Sequence, residues 1–222
     1  IKDVRNLEIS EFLRDEAYAW SWALCKFFDT HPRYRERFRG LGAFRTGGRF
    51  ASEFSRAFAA EMNAIQVEWP LFVRTLEVGY DIERAAIAVR PGESLASSGD
   101  SVEVQAGRGW QSSGVRIERD KRYHVTATGR FTVAQEPKPW VSEARGISFR
   151  YVEGRPLGML LGIVVSETTS EAAPSLTVIP LGAEATFTAA TDGTLYLRLN
   201  DSWSELSDNT GSVSVELRAI HD

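Results

Sequence analysis

The residue pattern of this chain changes abruptly at Arg90-Pro91-Gly92, and the change divides the fold in two. Upstream, Phe, Trp, Ala, Arg and Glu dominate and β-branched runs are rare. Downstream, Val, Thr, Ile and Ser alternate between regular turn signals. Apolar residues at helical spacing and strict alternation demand different elements. The expected fold is therefore α+β by segment: a helical segment over 1–90, a joint over 91–99, and an antiparallel β-sandwich or jelly roll over 100–222.

The first helix is expected from about Ser10, a fair N-cap, to Asp29. Leu13, Ala17, Trp20, Leu24, Phe27 and Phe28 recur at helical spacing. The aromatic stripe Tyr18, Trp20, Trp22, Phe27 and Phe28 reads as core. Cys25, the only cysteine, lies in the same run and reads as a buried thiol. It leaves the redox compartment open. Thr30-His31-Pro32 breaks the helix, so His31 reads as a cap or surface residue. A second helix over Pro32–Leu41 carries Arg33, Arg35, Arg37 and Arg39 on what reads as a solvated face. Phe50, Phe54, Ala57, Phe58 and Met62 mark a third, and Glu68–Glu77 a fourth, ended by Gly79. Four short helices bury little alone. Either they pack on the β segment or they are the tail of a larger domain truncated at Ile1.

Past the joint, Ser101–Gln105, Gly114–Glu118, Tyr123–Gly129, Gly146–Val152, Met159–Val165, Leu176–Ile179, Ala185–Ala189, Leu195–Leu199 and Gly211–Leu217 read as strands. Asp192-Gly193 reads as a hairpin turn. Phe131–Arg145 interrupts the rhythm and reads as a long surface loop, the kind that often carries function.

Between the last two strands lies Asn200-Asp201-Ser202-Trp203-Ser204-Glu205-Leu206-Ser207-Asp208-Asn209-Thr210-Gly211-Ser212. Its two Asp, two Asn and one Glu, among Ser and Thr, make it a candidate site for a hard cation, which takes six to eight oxygens. The competing reading is an ordinary turn, since the same residues dominate turns. A net charge of −4 supplies no basic footprint for nucleic acid. No apolar run has the length of a membrane span. The three histidines, His31, His124 and His221, have no zinc-ligand spacing with the single cysteine.

Tyr18-Ala19-Trp20-Ser21-Trp22-Ala23-Leu24, Phe27-Phe28, Tyr34, Phe38, Phe54, Phe58, Glu68-Trp69 and Phe72-Val73 resemble the C-terminal helices of peptidase-MA-like zinc metallopeptidases, the gluzincin relatives, over residues 10–80. In that family zinc is held by an HExxH helix upstream, because two His four apart share one helical face. No HExxH occurs here. The resemblance therefore implies a non-catalytic piece whose partner is an upstream peptidase-like domain of the same parent chain.

Val102-Glu103-Val104, Ala106, Gly114-Val115, Tyr123–Gly129, Trp140 and Gly158-Met159-Leu160-Leu161 follow, in order, the pattern of the LecA-like (PA-IL) galactophilic lectins. The loop Asn200-Asp201, six residues, Asp208-Asn209, one residue, Gly211-Ser212 has the spacing of that family's calcium loop. The resemblance covers about residues 100–220. It implies a Ca2+ cofactor held by side-chain oxygens of Asp201, Asp208 and Asn209 and by backbone carbonyls of Glu205 and Val133. Asp208 stands where the family has Asn, which adds a negative charge. In the family the ion binds two galactose hydroxyls, and a His and a Gln fix the sugar's far edge. Here the segment after Trp140 offers Ser142, Glu143 and Arg145 instead, and Val133 replaces the family's Tyr. Galactose specificity does not transfer. A different glycan partner would use Asp201, Asp208 and the rings of Trp140 or Trp203.

The leading expectation is thus a non-catalytic region with a calcium-binding, carbohydrate-binding sandwich. The alternative is a structural or protein-interaction module without metal or sugar. A glycosidase built on Asp201 and Asp208 is the third reading.

Overall fold

The computed structural model describes residues 15–44, 48–166 and 177–220. It divides into two compact units, the first ending at Thr75 and the second beginning at Leu76. The α+β expectation holds: helices first, then mostly antiparallel strands. Residues 76–90, expected with the helices, belong to the β unit.

In the helical unit, α1 runs Asp15–Thr30, α2 Arg35–Gly40, α3 Phe50–Ala57 and α4 Met62–Arg74. The expected cap Ser10 lies outside the described residues. The break expected after Met62 falls at Phe58–Glu61, and α4 starts six residues before Glu68. Pro70 is consequently inside the helix. The core is aromatic: Phe28 meets Phe54 and Phe58 at 4.9 Å each, and Phe54 meets Phe58 at 4.8 Å. Offset and edge-on rings at such distances add to their area burial. Tyr18, Trp20 and Trp22, expected in that core, are exposed, and so is Cys25. Tyr18, Trp22 and Cys25 occupy α1 positions away from the stripe of Leu24, Phe27 and Phe28, whereas Trp20 lies at its open end, 6.4 Å from the Trp69 ring. Partial desolvation and the Asp29 carboxylate push the Cys25 thiol pKa up. Arg37 and Arg39 of the basic face are paired with Glu61 and Asp29.

His31 corrects the sequence reading outright. It is buried, and its Nε2 lies 3.0 Å from Glu68 Oε1. The Arg33 backbone N–H donates to His31 Nδ1, so Nδ1 is an acceptor and the ring proton sits on Nε2. Tyr34 O–H donates to the other oxygen, Glu68 Oε2, at 2.5 Å. Burial, then the Glu68 charge, raise the Tyr34 pKa. Glu68 falls on the buried stripe of α4 with Ile65 and Phe72, so it needed partners, and the break after α1 supplies them.

In the β unit, one sheet runs β1 (Glu93–Ser94), β3 (Gln111–Ile117), β12 (Gly193–Leu199), β9 (Leu160–Val165), β10 (Ile179–Pro180). The other runs β11 (Glu184–Thr188), β4 (Arg122–Thr128), β13 (Thr210–Ile220), β5 (Phe131–Thr132), β6 (Val141–Ser142), with β2 (Asp100–Gln105) also on β13. All pairings are antiparallel except β1 with β3. Val213, Val215 and Leu217 alternate with exposed residues along β13, and Leu195, Leu197 and Leu199 alternate along β12. Both sets enter one core shared by the two sheets. A separate hairpin pairs β7 (Ile147–Val152) with β8 (Arg155–Leu157). Asp192-Gly193 is not a hairpin: β11 pairs with β4 and β12 with β3 and β9, so this turn crosses between sheets. Phe131–Arg145 is shorter as a loop than expected, because β5 and β6 pair within it.

β12 is buried along its whole length. Of its outward residues, Thr194 and Tyr196 are bonded by the stretch before β1, and Arg198 packs on Trp110 and Trp203. Gly92 N–H donates to Thr194 Oγ1 at 2.7 Å, and Arg90 N–H to Tyr196 Oη at 3.2 Å. These bonds explain why the unit boundary precedes the joint at Pro91.

Candidate functional site: the loop between β12 and β13

Because β12 and β13 lie in different sheets, residues 200–209 bridge the two at the rim of the sandwich. Asn200 anchors the start. Its backbone bonds Met159 and Gly158, and its amide reaches the Val152, Arg155 and Pro156 carbonyls at 3.0–3.1 Å, tying the β7–β8 hairpin to the loop.

Asp201 is buried. Its Oδ1 accepts the Ser202 N–H at 2.7 Å and its Oδ2 accepts Asn209 Nδ2–H at 2.8 Å. Burial pushes its pKa up to about 6, against the lowering effect of those two donors. Asn209 is 7% exposed, and its Oδ1 has no hydrogen-bond partner among the described residues. Asp208 Oδ1 is buried and equally without a partner. A buried acceptor left unsatisfied costs about 1–3 kcal/mol, so two in adjacent residues require a cause.

The other expected ligands lie close in the chain path. Thr132 of β5 pairs with Thr210 and Phe131 with Gly211, so Val133 and Asn209 come next on the two strands. Gln135 Nε2 spans the same gap, donating to the Asp208 carbonyl at 3.1 Å and toward Thr210 Oγ1 at 3.2 Å. Glu205 precedes the short 3-10 turn Leu206–Asp208, and its carboxylate pairs with Arg150 at 2.9 Å, leaving its carbonyl as the expected ligand. Among the described residues no group of three His, Cys, Asp or Glu side chains converges. The loop's donors are two carboxylates, an amide and carbonyls, a set suited to a hard cation rather than to zinc.

Of the two tryptophans expected to face a sugar, one is buried and the other half-buried. Trp203 is buried, stacked on Tyr80 at 5.3 Å and 15°, with Arg198 Cζ 3.7 Å from its ring centroid. Trp140 packs against the core, with Arg150 Cζ 5.5 Å from its ring centroid and Phe149 edge-on at 5.8 Å. The open rings beside the loop are Phe149, 77% exposed, and Tyr151, on either side of Arg150. Alternation along Gly146–Val152 marked that strand but gave no sign of which rings stay open.

Several residues around the loop carried no signal in the sequence. Arg198 is buried, donates from Nη2 to the Asp201 carbonyl at 2.6 Å, and is lowered to a pKa of about 10 by burial, so it stays charged at neutral pH. Glu77, expected at a helix end, accepts the Ser202 hydroxyl and, at 2.8 Å, the Ser204 N–H. Burial raises its pKa, but those donors together with the Trp203 N–H prevail and hold it below the usual carboxylate value.

No family model matches the chain, and no curated protein does. Among solved structures, the chain is similar to one described as the EclA N-terminal domain, a PllA-like lectin, with 20% identity, 54% of this chain and 95% of that one covered, and a TM-score of 0.42. It is similar to a functionally unknown conserved protein of Bacillus anthracis at 11% identity, 55% and 22% coverage and a TM-score of 0.29. A third is PliG of Aeromonas hydrophila, a periplasmic inhibitor of g-type lysozyme, at 6% identity, 59% and 95% coverage and a TM-score of 0.30. The low TM-scores make all three loose likenesses.

Proposed function

We propose that the β unit is a non-catalytic module that binds calcium in the loop between β12 and β13 and uses the bound ion to recognise a carbohydrate. The observation that carries this reading is the pair of partnerless buried acceptors, Asp208 Oδ1 and Asn209 Oδ1, beside the desolvated Asp201 carboxylate. A divalent cation would satisfy all three. Asp201, Asp208 and Asn209 would hold it with side-chain oxygens, and Glu205 and Val133 with carbonyls, as the lectin resemblance implies. A calcium ion held there would supply Lewis-acid positions for sugar hydroxyls. Arg150 and Glu205 supply hydrogen-bonding groups at the rim, and Phe149 an open ring for the apolar face of a sugar.

The helical unit carries a separate part of the proposal. Its resemblance over residues 10–80 supports an accessory role beside a peptidase-like domain. The alternative of an interaction module without metal is favoured by one contact: Asn209 Nδ2–H already satisfies one Asp201 oxygen.

Thermal melting of the full chain with calcium or with a chelator separates the readings. Calcium should raise the melting temperature, and Asp208→Ala should abolish the rise. A melting temperature indifferent to millimolar calcium overturns the metal site. Retention on a printed panel of mono- and oligosaccharides, in calcium but not in chelator, tests the sugar step.

A further inference from the structure

The calcium reading concerns the loop's own oxygens; the residues that hold the loop in shape lie elsewhere. Three consecutive loop residues are gripped by one short stretch of chain. The Glu77 carboxylate takes the Ser202 hydroxyl and the Ser204 N–H. The Tyr80 ring covers the Trp203 indole nearly parallel, 5.3 Å away. The Asp81 N–H donates to the Trp203 carbonyl at 3.0 Å. Gly79 makes the approach possible: its φ is +85°, and a Cβ there would lie 3.0 Å from Ser204 Cβ. On the far side of Trp203, Arg198 closes the stack and ties it to the Asp201 carbonyl.

The stretch is itself anchored. Asp81 caps the turn Ile82–Ala85 through the Arg84 N–H, and the Arg84 carbonyl accepts the Gly109 N–H at 3.0 Å. Farther on, Arg90 and Gly92 bond the outer face of β12. Residues 77–92 thus form a strap across the outward side of β12 whose leading end closes on the residues next to Asp201.

We infer that this strap is the positioning element of the cation site, with Glu77 and Tyr80 holding Ser202, Trp203 and Ser204 so that Asp201 faces Asp208 and Asn209. The inference rests on the calcium reading for its ligand and on these contacts for its geometry. Coupling between strap and ion is reciprocal: a docked strap strengthens calcium binding, and calcium tightens the strap.

The experiment is calcium titration calorimetry on the full chain, paired with amide hydrogen exchange with and without the ion. Calcium should slow exchange over residues 77–85 in the wild type. Glu77→Ala and Tyr80→Ala should each weaken calcium binding about tenfold, within the usual range of coupling between sites. Glu77→Gln, which keeps an acceptor, should lose less. Val215→Ala, a core truncation in β13, should lower stability while leaving calcium affinity within about twofold of wild type, since it is remote from the loop. That variant separates positioning from general loosening. Without calcium, residues 202–204 should exchange faster in Glu77→Ala than in the wild type. Wild-type calcium binding with unchanged affinity in both alanine variants overturns the coupling. Unchanged exchange at 202–204 in metal-free Glu77→Ala overturns the strap itself. A wild type that takes up no calcium removes the cation reading and the coupling together, whatever the exchange shows.

Discussion

Each unit buries a carboxylate, and the two are treated differently. In the helical unit Glu68 lies on an apolar stripe, and both its oxygens are taken: His31 Nε2–H on one, Tyr34 O–H on the other. Nothing in that network asks for a further partner. In the β unit Asp201 is as deeply buried, yet its neighbours Asp208 and Asn209 each keep an acceptor with no donor. A closed polar network fixes a fold; one left with surplus acceptors costs stability until something satisfies them. The same residue chemistry serves architecture in one place and, on our reading, binding in the other.

Glu68 carries the largest expected effect. Glu68→Ala leaves a buried imidazole and a buried phenol without their acceptor, and should cost about 3 kcal/mol or more of stability. Chemical denaturation of the full chain measures it, and added calcium should not restore it. A loss under ~1 kcal/mol would mean the network is not fixing the helices.

Asp201 gives the second contrast, through pH. Its folded pKa, about 6, stands above the ordinary carboxylate value. Protonation therefore favours the folded state. The contribution is fully present below about pH 4 and is lost as pH rises through 6, by on the order of 2–3 kcal/mol. In chelator, the β unit should melt highest on the acid side of that window. Calcium should flatten the profile, because the ion replaces the proton as the counter-charge. Asp201→Asn should flatten it without calcium.

Saturating calcium is the third. At a hundredfold excess over its dissociation constant an ion stabilises the folded state by about 2.7 kcal/mol, and for a unit of this size that corresponds to a melting shift of roughly 5–10 °C. The shift should vanish in Asp208→Ala, which should be no less stable than wild type in chelator, since it removes a partnerless acceptor.

The smallest effect sharpens the sugar step. Phe149→Ala truncates an exposed ring and should change stability by less than ~0.5 kcal/mol. Retention on immobilised glycans should nevertheless fall, with the calcium shift intact. Unchanged retention would move the sugar face elsewhere.

Local pattern carried the sequence reading a long way. Alternation of Val213, Val215 and Leu217 declared β13, and the spacing of Asp201, Asp208 and Asn209 marked a candidate site in which the fold joins Asn209 to Asp201. What stayed illegible depended on partners distant in sequence. His31 has a surface context until Glu68, 37 residues on, meets it. Asp192-Gly193 has hairpin chemistry, but the sheet joined on each side is decided by pairing with β4, β3 and β9, which no local signal reports. Residues 77–92 show neither helical nor strand periodicity, because they follow the outer surface of β12 and are ordered by what they cover. Trp203 and Trp140 looked alike as aromatic candidates, and only packing separates them from Phe149.

The envelopment of β12 has a practical corollary. A strand without a wet side cannot tolerate losing its cover, so the natural place to cut a stand-alone β-sandwich piece, at the first alternating residues near Asp100, is the wrong one. Such a piece would bare Tyr196 and Trp203 together and invite self-association; a piece beginning at Leu76 keeps them sheathed.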